Sequence, residues 1–426
     1  MRFAFLFFLS ITLLSCSVSR QFSKKADAIL LKDTAIMHGN IGISIYEPAT
    51  NKYLYRHNAE NYFIPASNTK LFTLYAGMKY LGDSLVGLRY NIEDGITYIK
   101  PTGDPSFLVP EFKDQAVFTF LKKQNEIIIS RPIGVESYGN GWAWNDYMDD
   151  YMAPRSVFPI YGNVFKVKWI QKDSITITPS YFEKYIENNN RFEKGFEIVK
   201  DFDGDHLSFL PGEEKEKITP FIADILTVSN LLDDTLKKDN KIGSSLNSHG
   251  EIFIIHSQPT DSLFKPMMHR SDNFFAEQTL LMAGNEHLGY MSDEDMIDTL
   301  LKTDLKDIPQ QPKWVDGSGL SRYNLFTPND FVYILGKIKN EFGFDRIKNI
   351  LATGGEGTLK YYFKKDAGSI YAKTGTLSNN CALSGYLITK KNKLLIFSVL
   401  TNNYITGATP VRRAVEKYIE FIRENY

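Results

Sequence analysis

Apolar and polar residues alternate near the start of the chain in a pattern typical of a β-hairpin. In residues 41–57, three isoleucines alternate with smaller residues, the segment PATN provides the turn, and tyrosines alternate in the returning strand. Beyond this hairpin, apolar residues recur at helical spacing over residues 67–81, and Gly82 follows as a natural stop. We therefore predict two strands followed by one helix.

The C-terminal part of the chain predicts three further strands and a helix. The segments GSIYAKTGTL, CALSGYLIT and KLLIFSVLTN are typical of strands, and the polar KKNK at 390–393 separates the last two. An apolar stripe along residues 409–424 predicts a helix. We expect the hairpin and these strands to form one antiparallel five-stranded sheet, flanked by helices that include 67–81 and 409–424, in an α/β (α+β) domain.

Residues 85–254 differ from both ends of the chain. They are rich in aromatic and turn-forming residues and contain short strand-like runs such as EIIIS and VFKVKWI. We interpret this region as one or two mostly-β inserted domains, which divide the α/β domain into 25–84 and 255–426. A chain of 426 residues is also too long for one ordinary core.

The first 16 residues have the features of an export signal. Arg2 is followed by the apolar FAFLFFLSITLLS, which is short for a membrane span, and no other segment is long and apolar enough to span one. The segment LLSC, which ends at Cys16, resembles a bacterial lipobox, in which the cysteine becomes the lipidated first residue. Plain cleavage without lipid is the alternative. We expect an exported, periplasmic protein whose lipid would hold it on a membrane face without spanning it.

Composition and charge indicate a globular protein and give no sign of a general affinity for nucleic acid or anionic membranes. A hydrophobic content of 43% and a charged content of 23% are those of a globular protein. The net charge of −1 gives no bulk attraction to nucleic acid or to an anionic membrane. We see no cluster of His, Cys and Asp that suggests a metal site, and we expect no cofactor.

Two serine–lysine pairs have the spacing S-x-x-K, Ser67–Lys70 and Ser262–Lys265. Residues three apart lie on one face of a helix, so the lysine can reach the serine hydroxyl and take its proton if burial or a second cation lowers the lysine pKa. Ser67 begins the predicted helix, whereas Pro266 predicts that no helix continues through the second pair. A capping serine with a surface lysine is the alternative interpretation of Ser67–Lys70.

Two more motifs follow this pair in the chain. A Ser-Asp-Asn segment begins at Ser271 and directly precedes a helical run, and the only Lys-Thr-Gly segment begins at Lys373 on a predicted strand. Gly375 lets another backbone or a ligand approach that strand closely. Each motif is weak alone, but S-x-x-K, S-D-N and K-T-G in this order are characteristic of penicillin-binding proteins and class A β-lactamases.

The chain resembles the D-alanyl-D-alanine carboxypeptidase/endopeptidases of the class C low-molecular-mass penicillin-binding proteins (peptidase S13). The resemblance includes the blocks GDPSF, MMHRSDNFFAEQ, DGSGLSRYN, GEGTL and AKTGTLSNNCALSGYL, in the order of that family, and covers nearly the whole mature chain. The long separation of Ser67 from Ser271 fits a family with domains inserted there. The resemblance implies a β-lactamase/transpeptidase-like domain interrupted by the insertions.

The resemblance also implies a mechanism. Ser67 would attack the carbonyl of a D-Ala-D-Ala bond or of a D-Ala cross-link in peptidoglycan peptides, with Lys70 as its base. Ser271 would relay a proton to the leaving amine, and Asn273 would hold Lys70 and the substrate amide. β-Lactams would acylate the same serine and so act as covalent inhibitors.

The K-T-G strand would bind the substrate. By resemblance, Lys373, Thr374 and Thr376 would contact the terminal carboxylate region, and the backbone N–H groups of Ser67 and Thr376 would form the oxyanion hole. A side chain at Gly375 would push substrate off the strand edge. A serine β-lactamase and a non-catalytic penicillin- or peptidoglycan-binding protein are the alternatives. The former needs a deacylation base that we cannot assign, and the latter is expected to have lost a motif residue.

Overall fold

The computed structural model describes residues 18–131, 133–171, 174–188, 197–200, 207–210, 216–243 and 251–426. The predicted export signal 1–16, with Cys16, lies outside the described residues. Two compact units make up the described chain. The first contains the described residues up to Tyr75, with Phe264–Asp272 and Ile297–Tyr426, and the second contains Ala76–Leu263 and Asn273–Met296.

The helices and strands are as follows. The described strands are β1 (Asn40–Glu47), β2 (Lys52–His57), β3 (Ser84–Glu93), β4 (Ile96–Pro101), β5 (Glu126–Ser130), β6 (Val164–Gln171), β7 (Ser174–Thr178), β8 (Ile186–Asn188), β9 (Glu197–Lys200), β10 (Leu207–Leu210), β11 (Glu216–Pro220), β12 (Lys241–Gly243), β13 (Phe253–Pro259), β14 (Ala352–Thr353), β15 (Ile370–Leu377), β16 (Asn380–Ile388) and β17 (Leu394–Asn402). The described α-helices beyond residue 31 are α1 (Lys70–Tyr80), α2 (Ala116–Lys123), α3 (Ile225–Leu236), α4 (Thr260–His269), α5 (Asn273–Leu288), α6 (Asp293–Lys302), α7 (Pro328–Phe342), α8 (Phe344–Ile350) and α9 (Ala408–Asn425). Residues 18–26 are also helical and continue as a π-helical turn, Asp27–Leu31.

The first unit is built on an antiparallel sheet with the strand order β14-β15-β16-β17-β1-β2. The predicted hairpin forms β1 and β2, the three predicted C-terminal strands form β15, β16 and β17, and β1 pairs with β17. The five predicted antiparallel strands are therefore confirmed, with the two-residue β14 as an additional edge strand. Because β14 pairs only with Tyr371 and Ala372, β15 from Lys373 onward has no strand beside it on that edge among the described residues.

The two faces of this sheet pack against different helices. Alternate residues of a strand point to opposite faces. On β1, Ile43 belongs to the apolar cluster that also contains buried side chains of α9 and of residues 22–36, whereas Ser44 on the opposite face donates to Asn329 of α7. The predicted helix 409–424 corresponds to α9, which begins at Ala408.

Helix α1 packs on the α7 side through Phe72. The Phe72 ring lies 4.7 Å from that of Phe326 and 5.6 Å from that of Phe331, measured between ring centroids. Tyr386 of β16 donates its hydroxyl to the Leu335 oxygen of α7. These buried contacts fix the start of α1 relative to the sheet, and therefore position the side chains described below.

The second unit contains a mixed five-stranded sheet, β12-β5-β4-β3-β13, and two three-stranded sheets, β8-β10-β9 and β11-β6-β7. Its apolar core includes Leu88 and Ile99 of the larger sheet together with Val228 and Leu231 of α3. The α/β fold class predicted from sequence is confirmed. The predicted limits 25–84 plus 255–426 for the catalytic domain and 85–254 for the insertions stay a prediction.

The prediction that Pro266 stops a helix was wrong. Helix α4 runs from Thr260 to His269 and contains Pro266 in its interior. An interior proline removes one backbone hydrogen bond, but Leu263, Phe264, Met267 and Met268 are all buried on both sides of it. The burial of this continuous apolar stripe explains why the helix persists despite the proline.

Candidate active site

Ser67 and Lys70 lie together at the start of α1. Residues Ala66–Thr69 form one 3₁₀ turn, and Lys70 is the first residue of the α-helix that follows. In a 3₁₀ turn, side chains three residues apart lie directly above one another. Lys70 Nζ accordingly lies 2.9 Å from Ser67 Oγ and donates to it. Lys70 is fully buried, whereas Ser67 is partly exposed.

The second S-x-x-K pair lacks this environment. Ser262 and Lys265 are three residues apart on α4, but both are solvent-exposed. Lys70, by contrast, is fully buried. Burial therefore distinguishes the two pairs, rather than the helix break that the sequence predicted.

A loop over residues 316–324 holds the other side of Lys70. Lys70 Nζ donates to the Ser318 main-chain oxygen at 2.7 Å. The fully buried Asp316 carboxylate orders this loop by accepting hydrogen bonds from the backbone N–H groups of Gly319 and Ser321 and from the side chain of Asn324. The structure thus brings the backbone of the DGSGLS segment into contact with Lys70.

Gly319 in this loop is required by a close approach of two backbones. It has a φ of +82°, and a Cβ there would lie 2.0 Å from the Ala66 main-chain oxygen. Ala66 itself has a positive φ of 47°, which is unusual for a residue with a side chain. The loop and the turn that carries Ser67 therefore fit together only with glycine at position 319.

Ser271 and Lys373 form a second serine–lysine pair in the same unit. Lys373 on β15 is fully buried, and its Nζ donates to Ser271 Oγ at 2.8 Å and to the Thr374 main-chain oxygen at 2.7 Å. Burial, followed by the positive charges of Lys70 and Arg412, lowers the pKa of Lys373 well below its ordinary value. The charge of Lys70 thus acts on Lys373, and the two pairs are electrostatically coupled.

Backbone strain accompanies Ser271. Its φ is +65°, in the left-handed region, between the end of α4 at His269 and the start of α5 at Asn273. Such conformations cost on the order of 1–3 kcal/mol and persist where the surrounding structure imposes them. The strained turn points the Ser271 hydroxyl at Lys373.

Another backbone lies close to Gly375, which is one of the two close approaches that the sequence predicted, while its role in keeping substrate on the strand edge stays a prediction. A Cβ at this position would meet the Pro65 oxygen at 2.6 Å and the Asn68 backbone nitrogen at 3.1 Å. Fully buried Asn68 also donates its side-chain amide to the Lys373 oxygen at 3.0 Å. The glycine therefore allows the turn that carries Ser67 to lie directly against β15. Asn68 lies within the S-x-x-K motif at a position that the motif leaves unspecified, so the motif did not indicate it.

The remaining predicted site residues lie in two places. On β15, Thr374 is buried and Thr376 is exposed, and Arg412 donates a hydrogen bond to the Thr376 hydroxyl. Asn273 is the first residue of α5, belongs to the second unit, and donates its side-chain amide to the Tyr151 oxygen at 2.9 Å. The roles inferred for all these residues from the family resemblance stay predictions.

Among the residues that the structure describes, no three His, Cys, Asp or Glu side chains are grouped so that they could hold a metal ion. In the same part of the chain, no helix has the length and apolar character needed to cross a membrane.

Comparison with known proteins identifies the family. A family model described as the D-Ala-D-Ala carboxypeptidase 3 (S13) family matches residues 22–195 and 226–425. The chain belongs to this family. This confirms the resemblance inferred from the motifs, and with it the enzyme class, a serine-type D-Ala-D-Ala carboxypeptidase.

Individual relatives agree with this membership. The D-alanyl-D-alanine carboxypeptidase DacB of Haemophilus influenzae is 22% identical and is aligned over 91% of this chain and 90% of its own length. A D-alanyl-D-alanine carboxypeptidase of Actinomadura sp. strain R39 is 25% identical, with 90% and 81% aligned. The crystal structure of penicillin binding protein 4 (dacB) from H. influenzae has the same fold, with a TM-score of 0.72, 19% identity, and coverage of 95% of this chain and 99% of that one.

Proposed function

We propose that Ser67 is the nucleophile and Lys70 the base of a D-Ala-D-Ala peptidase that acts on peptidoglycan peptides. The observation that supports this most directly is the 2.9 Å contact between Lys70 Nζ and Ser67 Oγ at a fully buried lysine. A serine hydroxyl becomes an effective nucleophile only when a neighbouring base accepts its proton. The structured loop that binds Lys70 through Ser318 keeps the amine in that position.

In acylation, the neutral amine of Lys70 takes the Ser67 proton as Oγ bonds to the carbonyl carbon of the penultimate D-Ala. The C–N bond then breaks, and the proton passes from Lys70 through Ser271 to the leaving amine, which restores neutral Lys70. The 2.8 Å contact of Ser271 with Lys373 supports this relay because it orients the hydroxyl. Water then attacks the acyl-enzyme, and its proton returns through Lys70 to Ser67 as the peptide acid leaves.

The substrate would lie along the open edge of β15. Lys373, Thr374 and Thr376 would contact its terminal carboxylate region, and the backbone N–H groups of Ser67 and Thr376 would stabilise the oxyanion. Loss of one such donor typically costs about 3 kcal/mol in the activation barrier. The absence of a described strand beside β15 beyond Ala372 supports this placement, because an extended peptide can pair there.

A time course with a labelled penicillin tests the nucleophile. We expect slow-turnover covalent labelling of the wild type, no labelling of Ser67→Ala, and unchanged labelling of Ser262→Ala, the matched control from the exposed S-x-x-K pair. Rapid loss of intact drug would instead indicate a β-lactamase. Absence of labelling in the wild type would support a non-catalytic binding protein and overturn the proposal.

The balance between carboxypeptidase and endopeptidase activity is a separate question. Both activities use the same acyl-enzyme, since the leaving group is a terminal D-Ala in one and a cross-linked stem peptide in the other. We propose that the enzyme cleaves at least the D-Ala-D-Ala bond, and that endopeptidase activity accompanies it. Incubation with a D-Ala-D-Ala pentapeptide and with a cross-linked muropeptide, followed by chromatography of the products, ranks the two activities.

We also propose that the protein is exported and held on a membrane in the periplasm of a bacterial envelope through lipid on Cys16. The apolar segment that ends in LLSC supports this. In a bacterial host, Cys16→Ala should move the protein from the membrane fraction to the soluble periplasmic fraction. An unchanged distribution would instead support plain cleavage without lipid, or another means of attachment.

A further inference from the structure

Arg412 lies beside the K-T-G strand and belongs to none of the three sequence motifs. It lies in the second turn of α9, and its guanidinium donates to the exposed Thr376 hydroxyl at the end of β15. The side chain is half-buried, and its guanidinium carbon lies 5.8 Å from the centre of the buried Tyr362 ring. A guanidinium over an aromatic face is stabilised by the ring and held in orientation.

Arg412 has no counter-ion within the part of the chain that the structure describes. No carboxylate oxygen there lies within ion-pair distance of its guanidinium, and its Nε is buried without a hydrogen-bond partner. The adjacent Arg413 differs, because it forms an ion pair with Glu416 at 2.5 Å. Its partners in the structure are the Thr376 hydroxyl, Tyr362 and Cys381, none of which is a carboxylate. A partly buried cation without a counter-ion is unfavourable, and an anionic ligand that binds it would offset this cost.

The positive charge of Arg412 also affects Lys373. It contributes to lowering the pKa of Lys373, after burial and the charge of Lys70. No carboxylate of the described residues pairs with Lys373 either. The strand end therefore presents positive charge next to an exposed hydroxyl, which suits a carboxylate rather than a neutral peptide group.

We propose that Arg412 is a substrate-binding residue whose guanidinium, together with the Thr376 hydroxyl, recognises the α-carboxylate of the D-amino acid on the leaving side of the scissile bond. This inference rests on the proposed function and adds to it the residue that selects a charged over an uncharged C-terminus. Arginine suits this role because its planar N–H groups match the two oxygens of a carboxylate. A hydrogen bond between charged groups contributes about 1.5–3 kcal/mol, or roughly a 10- to 150-fold preference.

The test removes the charge either from the C-terminus of the substrate or from residue 412 of the enzyme. The substrates are an N-acylated L-Lys-D-Ala-D-Ala peptide and its C-terminal carboxamide, and the enzymes are the wild type, Arg412→Gln and Arg412→Lys. We expect the wild type to prefer the free acid by roughly 10- to 150-fold in kcat/KM. Arg412→Gln should lose most of that preference by cleaving the acid more slowly, with a change of less than about 3-fold on the amide. Arg412→Lys should keep part of the preference.

Arg413→Gln is the matched control, since it removes the same charge one residue away, and it should keep the wild-type preference. An equal loss on acid and amide in Arg412→Gln would mean that Arg412 only supports the strand, and would overturn the inference. So would an equal loss of preference in Arg413→Gln. Thermal unfolding of each variant shows whether a change in rate reflects a change in folding.

A binding measurement keeps this test independent of turnover. In a Ser67→Ala background, calorimetry with the same two peptides should show tighter binding of the acid than of the amide. That difference should disappear with Arg412→Gln and persist with Arg413→Gln. If the wild type cleaves neither peptide, the proposed function fails, whereas the binding difference still decides the role of Arg412.

Discussion

The side-chain amide of Asn68 donates a hydrogen bond to the main-chain oxygen of Lys373, with 3.0 Å between Nδ2 and O. This contact ties the turn that carries Ser67 to the strand that carries the K-T-G motif, across the position where Gly375 has no side chain. Two sequence motifs that are some 300 residues apart are thereby joined by one buried hydrogen bond. The relative position of Ser67 and Lys373 therefore depends on Asn68.

We predict that Asn68→Asp slows acylation by penicillin at least about tenfold. The substitution replaces the donor by a carboxylate that faces a carbonyl oxygen, and losing a buried hydrogen bond costs about 1–3 kcal/mol. Stopped-flow or fluorescence measurement of the acylation rate checks this. Asn61→Asp, the same change at an exposed position, should acylate at the wild-type rate. A normal rate in Asn68→Asp would show that the turn keeps its position without this bond.

Gly319→Ala should destabilise the protein by about 2–5 kcal/mol and abolish acylation. The added Cβ would lie 2.0 Å from the Ala66 oxygen, and both the positive φ and the overlap with backbone are unfavourable. Urea denaturation measures the free energy of unfolding. Gly355→Ala serves as the control, because Gly355 has a similar φ of +84° with open space around its Cβ position. It should cost only about 1–2 kcal/mol, and equal losses in the two variants would refute the role of the Ala66 contact.

Lys373→Met should inactivate the enzyme yet stabilise its fold at neutral pH, and the gain should shrink as pH rises. Because the folded pKa of Lys373 is lowered, the unfolded chain binds more protons between that pKa and about 10.4. In this pH range, the contribution of Lys373 to the free energy of unfolding of the wild type therefore rises with pH, by at most about 1.4 kcal/mol per pH unit. The variant lacks this rise. Denaturation of both proteins between pH 6 and pH 9.5 measures the difference. A pH-independent difference would indicate that Lys373 keeps its ordinary pKa.

Periodicity predicted the sheet well because each strand has its own local signal. The alternation in residues 41–57 and the three C-terminal runs were sufficient for five of the six strands of the first unit. The two-residue β14 is too short for any pattern to indicate. Local signals did not predict α4 through Pro266, because the burial of Met267 and Met268 that outweighs the proline depends on tertiary packing.

The candidate site was predicted as a set of motifs but not as a geometry. Motif order identified Ser67, Lys70, Ser271 and Lys373, and the structure brings them together as two serine–lysine pairs. Asn68 and Arg412 contact residues distant in sequence, which spacing cannot show. Asp316 contacts residues of its own loop, and only the contact of that loop with Lys70 joins distant parts of the chain. Asp316 lies in DGSGLS, a glycine-rich block that the sequence did mark, so its composition was a usable signal.

Pro266→Ala should stabilise the protein by about 2–2.6 kcal/mol. Proline in a helix interior costs about 3 kcal/mol relative to alanine, so its replacement removes this cost. The proline also restricts the unfolded chain, and losing that restriction reduces the gain by about 0.4–1 kcal/mol. Pro328→Ala is the matched control: Pro328 is the first residue of α7, after the N-cap Thr327, where no intrahelical N–H bond is needed. That variant should gain nothing. If urea denaturation shows no gain for Pro266→Ala either, then α4 has already relaxed around its proline, and the interior position carries no net cost.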